Sequence, residues 1–170
     1  MLPQTNIQQI ARRIRLVLTD CDGVLTDSGV YYSAKGEEMK RFCIRDGMGV
    51  ERLRQLCNVE TGIITGESSV SVAKRAEKLK IHELHLYVKD KVSKIDEIVR
   101  RLEIQLDEIA YIGDDVNDVE VMKLVGLPAC PADATSFVRE VAIFICENKG
   151  GNGAFRDLAE FIIAAKQESR

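Results

Sequence analysis

Residues 16–27 read LVLTDCDGVLTD, and this stretch decides the fold because a buried strand and a pair of carboxylates meet in it. Its first residues form a short apolar run, which is typical of a buried strand. Asp20 and Asp22 follow, and residues i and i+2 of an extended chain point the same way. Both carboxylates can therefore face one pocket beyond the strand end, where open α/β sheets bind ligands. Gly23 then allows a sharp turn and the close approach of a ligand.

Two carboxylates this close repel each other unless a cation lies between them or one of them keeps its proton. The pair therefore predicts a hard metal ion bound by oxygen ligands, an acid–base pair with separated pKa values, or both. An isolated D-x-D can also be a solvated acidic turn after a core strand. The choice between these interpretations depends on the rest of the chain.

The length and composition predict a single soluble domain over residues 1–170. The net charge of -3 argues against a nucleic-acid partner. The sequence has no apolar run long enough to cross a bilayer and no apolar core of a secretory signal near the N-terminus. We therefore expect no membrane partner and a cytoplasmic location.

The five cysteines are an odd number and lack C-x-x-C spacing. They predict buried thiols in a reducing cytoplasm, and they argue against a disulfide set or a structural zinc site. One of them, Cys21, lies between the two aspartates and should point away from them because side chains alternate along an extended chain.

Strand and helix patterns alternate along the chain. After the first strand, buried strands are predicted at residues 61–65, 84–88, 109–112, 127–130 and 142–146. A short helix is predicted over residues 5–13. Further helices are predicted from Asp46, after a cap at Ser68, over residues 91–102 and 154–166, and briefly up to Leu124. This alternation predicts an α/β fold, a Rossmann-like parallel sheet with helices on both faces. Residues 29–42 (GVYYSAKGEEMKRF) instead predict a projecting β-hairpin.

Polar side chains occur at the ends of three predicted strands and at the start of one predicted helix. Because the carboxyl ends of parallel strands meet at one edge of a sheet, we expect these groups to converge. Carboxylates, a hydroxyl and a lysine suit a phosphate ester bound with magnesium, since the metal bridges acidic residues to phosphate oxygens and the lysine neutralises another oxygen. The groups are Asp20, Asp22, Thr65, Lys91, Asp114, Asp115 and Asp118.

The order of these groups along the chain resembles that of the haloacid dehalogenase superfamily of phosphohydrolases. Residues 20–27 match its first motif, Thr65 the second, Lys91 the third and residues 113–118 the fourth. The resemblance implies that Asp20 is a nucleophile that forms an aspartyl-phosphate. It also implies that Asp22 protonates the leaving oxygen and then activates water, with Thr65 and Lys91 as further catalytic residues.

The same resemblance implies a Mg²⁺ site. Its ligands would be the side chains of Asp20 and Asp114 and the backbone carbonyl of Asp22, with Asp115 and Asp118 in an outer shell or acting through water. The segments between the motifs are too short for a cap domain, so the chain resembles the capless subclass.

Within that subclass, the hairpin and residues 45–49, 111–115 and 150–156 resemble the 3-deoxy-2-ulosonate phosphate phosphatases. The implied substrate is a small phosphorylated sugar acid, either 3-deoxy-D-manno-octulosonate 8-phosphate or a nonulosonate 9-phosphate. The family also implies a homotetramer, in which the hairpins of four subunits form a central barrel and neighbouring subunits complete each site. A simple flap over the pocket is the other interpretation of the hairpin.

The residues after Thr65 bear on the choice of sugar acid. Gly66 and Glu67, with Arg75 and Lys78, resemble the nine-carbon branch, where a glutamate and a lysine help position an arginine that meets the substrate carboxylate of the adjacent subunit. The eight-carbon enzymes usually carry arginine where Glu67 stands, and often have a longer C-terminal tail. An ordinary charged helix face is the alternative for these side chains. Two interpretations of Arg156 remain, an anion contact and a surface charge.

Three other classes compete with this interpretation. A phosphorylation-receiver signalling domain uses a similar set of groups, but its lysine comes last, whereas Lys91 precedes Asp114 here. A catalytically inactive assembly domain is disfavoured because Asp20, Asp22, Lys91 and Asp114 are all present. A calcium loop of the EF-hand type fails on spacing, since Gly23 follows Asp20 too soon.

Overall fold

The computed structural model describes residues 4–168. The strands are β1 (Leu16–Thr19), β2 (Thr26–Ser33), β3 (Gly36–Phe42), β4 (Glu60–Ile64), β5 (Glu83–His85), β6 (Ile109–Ile112), β7 (Leu127–Cys130) and β8 (Phe144–Ile145). The helices are α1 (Gln4–Arg13), α2 (Ile44–Cys57), α3 (Val70–Leu79), α4 (Lys91–Leu102), α5 (Val119–Met122), α6 (Ser136–Val141) and α7 (Ala154–Gln167). A 3-10 turn at Val116–Asp118 leads into α5.

In the described part of the chain, six strands form one parallel sheet in the order β5-β4-β1-β6-β7-β8. Strand β1 lies at the centre, between β4 and β6. The order reverses on either side of β1, and this crevice is where a doubly wound sheet binds its ligand. The predicted Rossmann-like α/β fold is confirmed.

Two apolar clusters cover the two faces of the sheet, because successive strand residues point to opposite sides. Val17 faces the cluster formed with α1, α2, α3 and α7. Leu16 and Leu18 face the cluster formed with α4, α5 and α6. The described chain therefore has helices on both faces of its sheet, as predicted.

Strands β2 and β3 form the predicted antiparallel hairpin, which begins at Thr26 rather than at residue 29. Most of its side chains are exposed, including Tyr31 (59%) and Tyr32 (71%). Between β1 and α4, residues 20–90 contain this hairpin with α2, β4, α3 and β5. The predicted absence of a cap domain is confirmed over that range.

Several predicted boundaries are wrong. Helix α2 begins at Ile44 rather than at Asp46. The Asp46 carboxylate does not cap this helix, since it accepts backbone hydrogen bonds from Gly153 (3.3 Å) and Arg156 (3.0 Å). Helix α3 is capped by Ser69 rather than Ser68, and the Ser69 hydroxyl accepts a hydrogen bond from the backbone of Val72.

Two edge strands are shorter than predicted, and one helix was not predicted. Strand β5 ends at His85, since Tyr87 adopts a left-handed conformation (φ 57°) and turns the chain towards Thr65. Strand β8 covers Phe144–Ile145 of the predicted residues 142–146. The unpredicted helix is α6.

The cysteines agree with their prediction in part. Cys21, Cys130 and Cys146 are buried, whereas Cys43 and Cys57 are half-buried, so burial of all five was wrong. No disulfide joins them within residues 4–168. Among the helices of this described range, none combines the length and apolar character needed to cross a bilayer.

Candidate active site

Asp20 lies directly beyond β1, at the centre of the sheet edge. Its backbone N–H donates to the carbonyl of Ile112 in β6 (3.0 Å), which fixes the turn that leaves the strand. Its carboxylate is nearly buried, with Oδ1 accepting from the backbone N–H of Cys21 (2.7 Å) and Oδ2 lying 3.2 Å from Nζ of Lys91. The nucleophile implied by the sequence is thus held in one orientation, with a cation at one oxygen.

Lys91 reaches Asp20 because it is the first residue of α4. Asp90 caps this helix by accepting a hydrogen bond from the backbone of Ser93 (3.0 Å). The ammonium group of Lys91 is buried and also donates to Oδ1 of Asp118 (2.7 Å) and to the hydroxyl of Tyr111 (3.1 Å). Burial alone lowers the pKa of Lys91, but the two carboxylates raise it above its ordinary value, so the group keeps its charge.

Asp118 supports both Lys91 and the loop after β6. Its Oδ1 accepts from Lys91 and from the Tyr111 hydroxyl (2.7 Å), and its Oδ2 accepts from the backbone of Asp114 (3.0 Å). A Cβ at Gly113 would lie 2.5 Å from the Cβ of Asp118, so only glycine leaves room for this arrangement. Because both carboxylate oxygens already accept hydrogen bonds, the contacts suit a supporting role for Asp118.

Asp20, Asp114 and Asp118 each offer one carboxylate oxygen, and these three oxygens lie within 4.8 Å of one another. Burial first, and then the charge of Asp118, raises the pKa of Asp20 to about 6. Burial, followed by the charges of Asp20 and Asp118, raises the pKa of Asp114 to about 8. A divalent cation would relieve this repulsion, and carboxylate oxygens are the ligands that Mg²⁺ prefers. The donor set therefore fits magnesium.

Gly23 brings the loop after β1 against Asp114. Its φ is 88°, in the left-handed region, and a Cβ at this position would overlap the Asp114 carboxylate. The glycine of the first motif is thus needed for the close approach of the two acidic loops.

Asp22 has different partners from Asp20. Its Oδ1 accepts from the hydroxyl of Thr26 (3.2 Å), and its Oδ2 accepts from Nζ of Lys40 in the hairpin (2.6 Å). Burial alone lowers the pKa of Lys40, but its hydrogen bond to Asp22 and the charges of Asp22 and Glu37 raise the pKa above its ordinary value. Lys40 therefore pairs with Asp22 as an ammonium group.

A cleft of about 270 Å³ opens over these loops. Lys91 and Asp118 do not line the cleft themselves. Lys91 forms an ion pair with Asp20, which does line it, and Asp118 accepts a hydrogen bond from Tyr111. Thr65 is buried at its wall, and its hydroxyl accepts a hydrogen bond from the backbone of Glu67 (3.2 Å). The predicted site residues that line the cleft are Asp20, Asp22, Thr65, Gly66, Glu67, Asp114 and Asp115, and they are joined by Ser28 and Asn117.

Arg75 and Lys78 do not line this cleft. Arg75 donates to the backbone carbonyl of Cys43 (2.9 Å), and its guanidinium lies 5.7 Å from the ring centroid of Phe42. Lys78 is exposed on α3. Their implied role concerns an adjacent subunit and stays a prediction. Arg156 lies 2.7 Å from Glu160 of the same helix, which favours the interpretation as a surface charge.

Four residues of the site were not selected from the sequence: Lys40, Tyr111, Ser28 and Asn117. Lys40 had a usable signal, since it shares a face of β3 with Phe42, which packs against the core, and is therefore turned inward. Tyr111 had none, because it sits in a fully apolar strand whose pattern indicates core packing.

Comparison with known proteins identifies the family of the chain. A family model described as haloacid dehalogenase-like hydrolase matches residues 58–158, which is more than half of the chain. The chain belongs to the haloacid dehalogenase-like hydrolase family. The predicted family, and with it the prediction of a hydrolytic enzyme, is confirmed.

Relatives within this family match almost the whole chain. The 3-deoxy-D-manno-octulosonate 8-phosphate phosphatase KdsC of Yersinia pestis is 36% identical over 163 residues, which are 96% of this chain and 87% of that protein. The Haemophilus influenzae KdsC is 31% identical over 163 residues, covering 96% of this chain and 90% of the relative.

Solved structures of family members superpose closely. A probable YrbI family phosphatase from Pseudomonas syringae has a TM-score of 0.93 and 37% identity, covering 96% of this chain and 92% of that one. The Moraxella catarrhalis 3-deoxy-D-manno-octulosonate 8-phosphate phosphatase, solved with a magnesium ion, a phosphate ion and a KDO molecule, has a TM-score of 0.93 and 34% identity. That match covers 98% of this chain and 95% of the other.

Proposed function

We propose that this protein is a magnesium-dependent phosphatase that hydrolyses 3-deoxy-D-manno-octulosonate 8-phosphate. The observation that carries the proposal is the contact between the Asp20 carboxylate and the buried Lys91 ammonium (3.2 Å), beside Asp114 in an open cleft. A carboxylate held beside a lysine ammonium is suited to attack phosphorus, because the negative charge that gathers on the phosphoryl oxygens is stabilised there. The substrate is inferred from the names of the relatives, which are 3-deoxy-D-manno-octulosonate 8-phosphate phosphatases.

In the first half of the reaction, an oxygen of Asp20 attacks phosphorus and the bond from phosphorus to the sugar oxygen breaks. Asp22 gives its proton to that leaving oxygen, and Lys91 neutralises a phosphoryl oxygen. In the second half, Asp22 takes a proton from water as the water attacks the aspartyl-phosphate, which releases phosphate and restores Asp20. General acid–base help of this kind contributes about 10²–10⁴-fold to the rate.

Asp20 and Asp114 would hold the magnesium ion by their side chains, together with the backbone carbonyl of Asp22. When bound, the ion neutralises charge on the phosphate oxygens and holds them in place. Thr65 donates a hydrogen bond to the phosphate, while Asp115 and Asp118 keep the acidic loop in position. The contacts of Asp118 with Lys91 and Tyr111 support this division of roles.

A homotetramer with sites completed by neighbouring subunits is part of the proposal. It is supported by the apolar side chains that the hairpin exposes, among them Val30, Tyr31, Tyr32 and Met39. The cleft has few side chains for choosing a substrate, and an adjacent subunit would add some. Arg75 and Lys78 on α3 would then act at that neighbouring cleft.

A nonulosonate 9-phosphate is the second candidate substrate. Glu67 favours it, because this residue lines the cleft at the position where the eight-carbon enzymes usually carry arginine. We rank it second because the curated relatives reported above act, by their names, on the eight-carbon ester.

We further propose that residues 1–170 form one phosphatase domain in the cytoplasm. Contacts between the two ends of the chain support a single domain: Arg12 donates to the backbone carbonyl of Ala165 (3.0 Å), and Lys166 donates to that of Arg12 (2.7 Å). The cysteines without disulfides are compatible with a reducing compartment.

The test is the release of phosphate from the two sugar-acid esters, measured side by side with magnesium and with a chelator. We expect fast hydrolysis of the octulosonate 8-phosphate that stops when the metal is removed. A strong preference for the nonulosonate ester would transfer the proposal to the second candidate and confirm the interpretation of Glu67. Hydrolysis that continues in the chelator would refute the magnesium-dependent mechanism.

A further inference from the structure

We propose that Lys40 of the hairpin is a positioning residue for Asp22, which it holds at the angle that proton transfer requires. This inference rests on the proposed phosphatase function. It adds to that function a residue outside the four sequence motifs, supplied by the hairpin rather than by the sheet edge.

The contacts of Lys40 are unusual for a hairpin lysine. Its side chain is 1% exposed, and it is the only buried residue in the range Gly36–Phe42. Its Nζ lies 2.6 Å from Oδ2 of Asp22 and 3.6 Å from Oε2 of Glu37. Burying an ammonium group is costly unless it is paired, so the pair with Asp22 explains why a lysine is tolerated here.

The same chain of contacts continues beyond the hairpin. Glu37 accepts a hydrogen bond from the hydroxyl of Ser69, the residue that caps α3. Helix α3 follows the loop that carries Thr65 and Glu67 at the cleft wall. Lys40 therefore fixes Asp22 relative to two neighbouring elements.

Both proposed roles of Asp22 depend on the direction of its carboxyl group. A misplacement of about 1 Å can cost about 10²-fold in rate. Without Lys40, the Thr26 hydroxyl at 3.2 Å would be the remaining side-chain hydrogen bond to this carboxylate among those that the structure describes. The attack of Asp20 on an ester whose leaving group needs no proton does not use Asp22, so that reaction should be spared.

The test compares two esters with the Lys40→Met variant, which keeps the side-chain stem and removes the charge. An alkyl ester such as the octulosonate 8-phosphate or glycerol phosphate needs a proton on its leaving oxygen, and 4-nitrophenyl phosphate does not. We expect kcat/KM for the alkyl ester to fall by about 10-fold or more and that for the nitrophenyl ester by less than about 3-fold. The ratio of kcat/KM for the alkyl ester to kcat/KM for the nitrophenyl ester reports on the first half of the reaction alone, because kcat/KM excludes hydrolysis of the intermediate.

Two further variants serve as controls. Lys40→Arg retains a charged donor and should recover part of the lost kcat/KM for the alkyl ester. Lys35→Met makes the same change at an exposed position of the hairpin turn and should leave both esters unaffected. Thermal unfolding and the oligomeric state are measured on every variant.

An equal loss with both esters in Lys40→Met, together with a lower unfolding temperature, would mean that Lys40 only attaches the hairpin to the body of the protein. No loss with either ester would also overturn the inference. A wild-type protein that hydrolyses glycerol phosphate and nitrophenyl phosphate but not the sugar-acid ester would refute the proposed substrate alone, and the Lys40 comparison would then be decided on the glycerol ester.

Discussion

Asp20 and Asp22 are two residues apart, but their surroundings divide the chemistry between them. Asp20 is nearly buried beside Lys91, in the group of carboxylates that fits a metal ion. Asp22 is a quarter exposed and held by Thr26 and Lys40. The buried, cation-flanked carboxylate suits a nucleophile, and the more accessible one suits proton exchange with the substrate and water.

The first prediction concerns Asp20. The Asp20→Asn variant should lose all measurable turnover, because an amide oxygen is too weak a nucleophile to attack phosphorus. The fold should be retained, since the side chain keeps its shape and size. Phosphate release and far-UV circular dichroism check the two statements, and an active Asp20→Asn variant would remove the covalent mechanism.

The second prediction is a dependence of stability on pH in the metal-free protein. The pKa of Asp114 is raised to about 8 in the folded state from an ordinary value of 3.8, so the folded protein holds more protons than the unfolded chain between those values. The free energy of unfolding should therefore fall as the pH rises through this window. With a chelator present, the unfolding temperature should drop between about pH 4 and about pH 8.

Magnesium and a variant separate this effect from other titrations. Saturating magnesium should restore the unfolding temperature at high pH, because it binds the ionised carboxylates of the folded state. The metal-free Asp114→Asn variant should show a smaller drop, by about 2 °C or more for each ~1 kcal/mol of relieved repulsion. Asp96→Asn on α4, outside the cleft, is the matched control. If the unfolding temperature of Asp114→Asn fell with pH as much as that of the wild type, the raised pKa of Asp114 would not be its cause.

The sequence predicted the acidic residues and Lys91 because their order along the chain is specific to one family. It did not predict the pairing of Asp22 with Lys40, because no short-range pattern encodes a contact between residues 18 positions apart. Asp118 was assigned to an outer shell by resemblance. Its contacts with Lys91 and Tyr111 supply the physical reason.

At the scale of elements, helix α4 places Lys91, the proposed catalytic lysine. The helix starts at Lys91 because Asp90 accepts from the backbone and the hydroxyl of Ser93 (3.0 and 2.6 Å). Hydrogen bonding to Ser93 also lowers the pKa of Asp90, so the cap is present as a carboxylate at neutral pH. The lysine therefore depends on the integrity of this cap.

The third prediction is that Asp90→Ala destabilises the protein. Loss of a helix cap costs about 0.5–2 kcal/mol, and about 1 kcal/mol corresponds to about 2–4 °C in unfolding temperature for a domain of this size. Turnover should also fall, because the uncapped first turn of α4 no longer holds Lys91 in place. Asp90→Ser keeps a capping oxygen and should stay close to wild type. Equal unfolding temperatures for the two variants would contradict this role.

The elements predicted best are those with unbroken apolar or strongly periodic sequences. The bounds of β1, β6, β7 and α4 agree with the predictions, because each lies in the centre of the fold or packs one full face. The errors lie at the sheet edges and helix starts. There, side chains such as Asp46 bond to distant backbone, and Tyr87 turns the chain out of an extended conformation.

On the scale of the whole molecule, the hairpin carries two exposed aromatic residues that packing within a single chain does not explain. Tyr31 and Tyr32 are 59% and 71% exposed on neighbouring positions of β2. An apolar surface of this kind is typical of a subunit interface. Assembly through the hairpin would also stabilise the strand that carries Lys40 and thus couple assembly to Asp22.

The fourth prediction is that the double variant Tyr31→Ser/Tyr32→Ser dissociates the proposed tetramer. Light scattering should show smaller species, and kcat/KM for the sugar-acid ester should fall because neighbouring subunits no longer complete the cleft. Phe137→Ser removes an equally exposed aromatic from α6 and should leave the mass unchanged. A double variant that keeps the wild-type mass would refute assembly through the hairpin.

The measurement that tests the central claim most directly is the capture of a phosphorylated Asp20. The Asp22→Asn variant lacks the base that hydrolyses the intermediate, so it should accumulate phosphoenzyme when mixed with 4-nitrophenyl phosphate and magnesium and then quenched in acid. Peptide mass spectrometry is predicted to find one added phosphoryl group on Asp20 and none in the Asp20→Asn/Asp22→Asn double variant. A phosphoryl group on another residue, or hydrolysis with Asp20 never modified, would contradict the account.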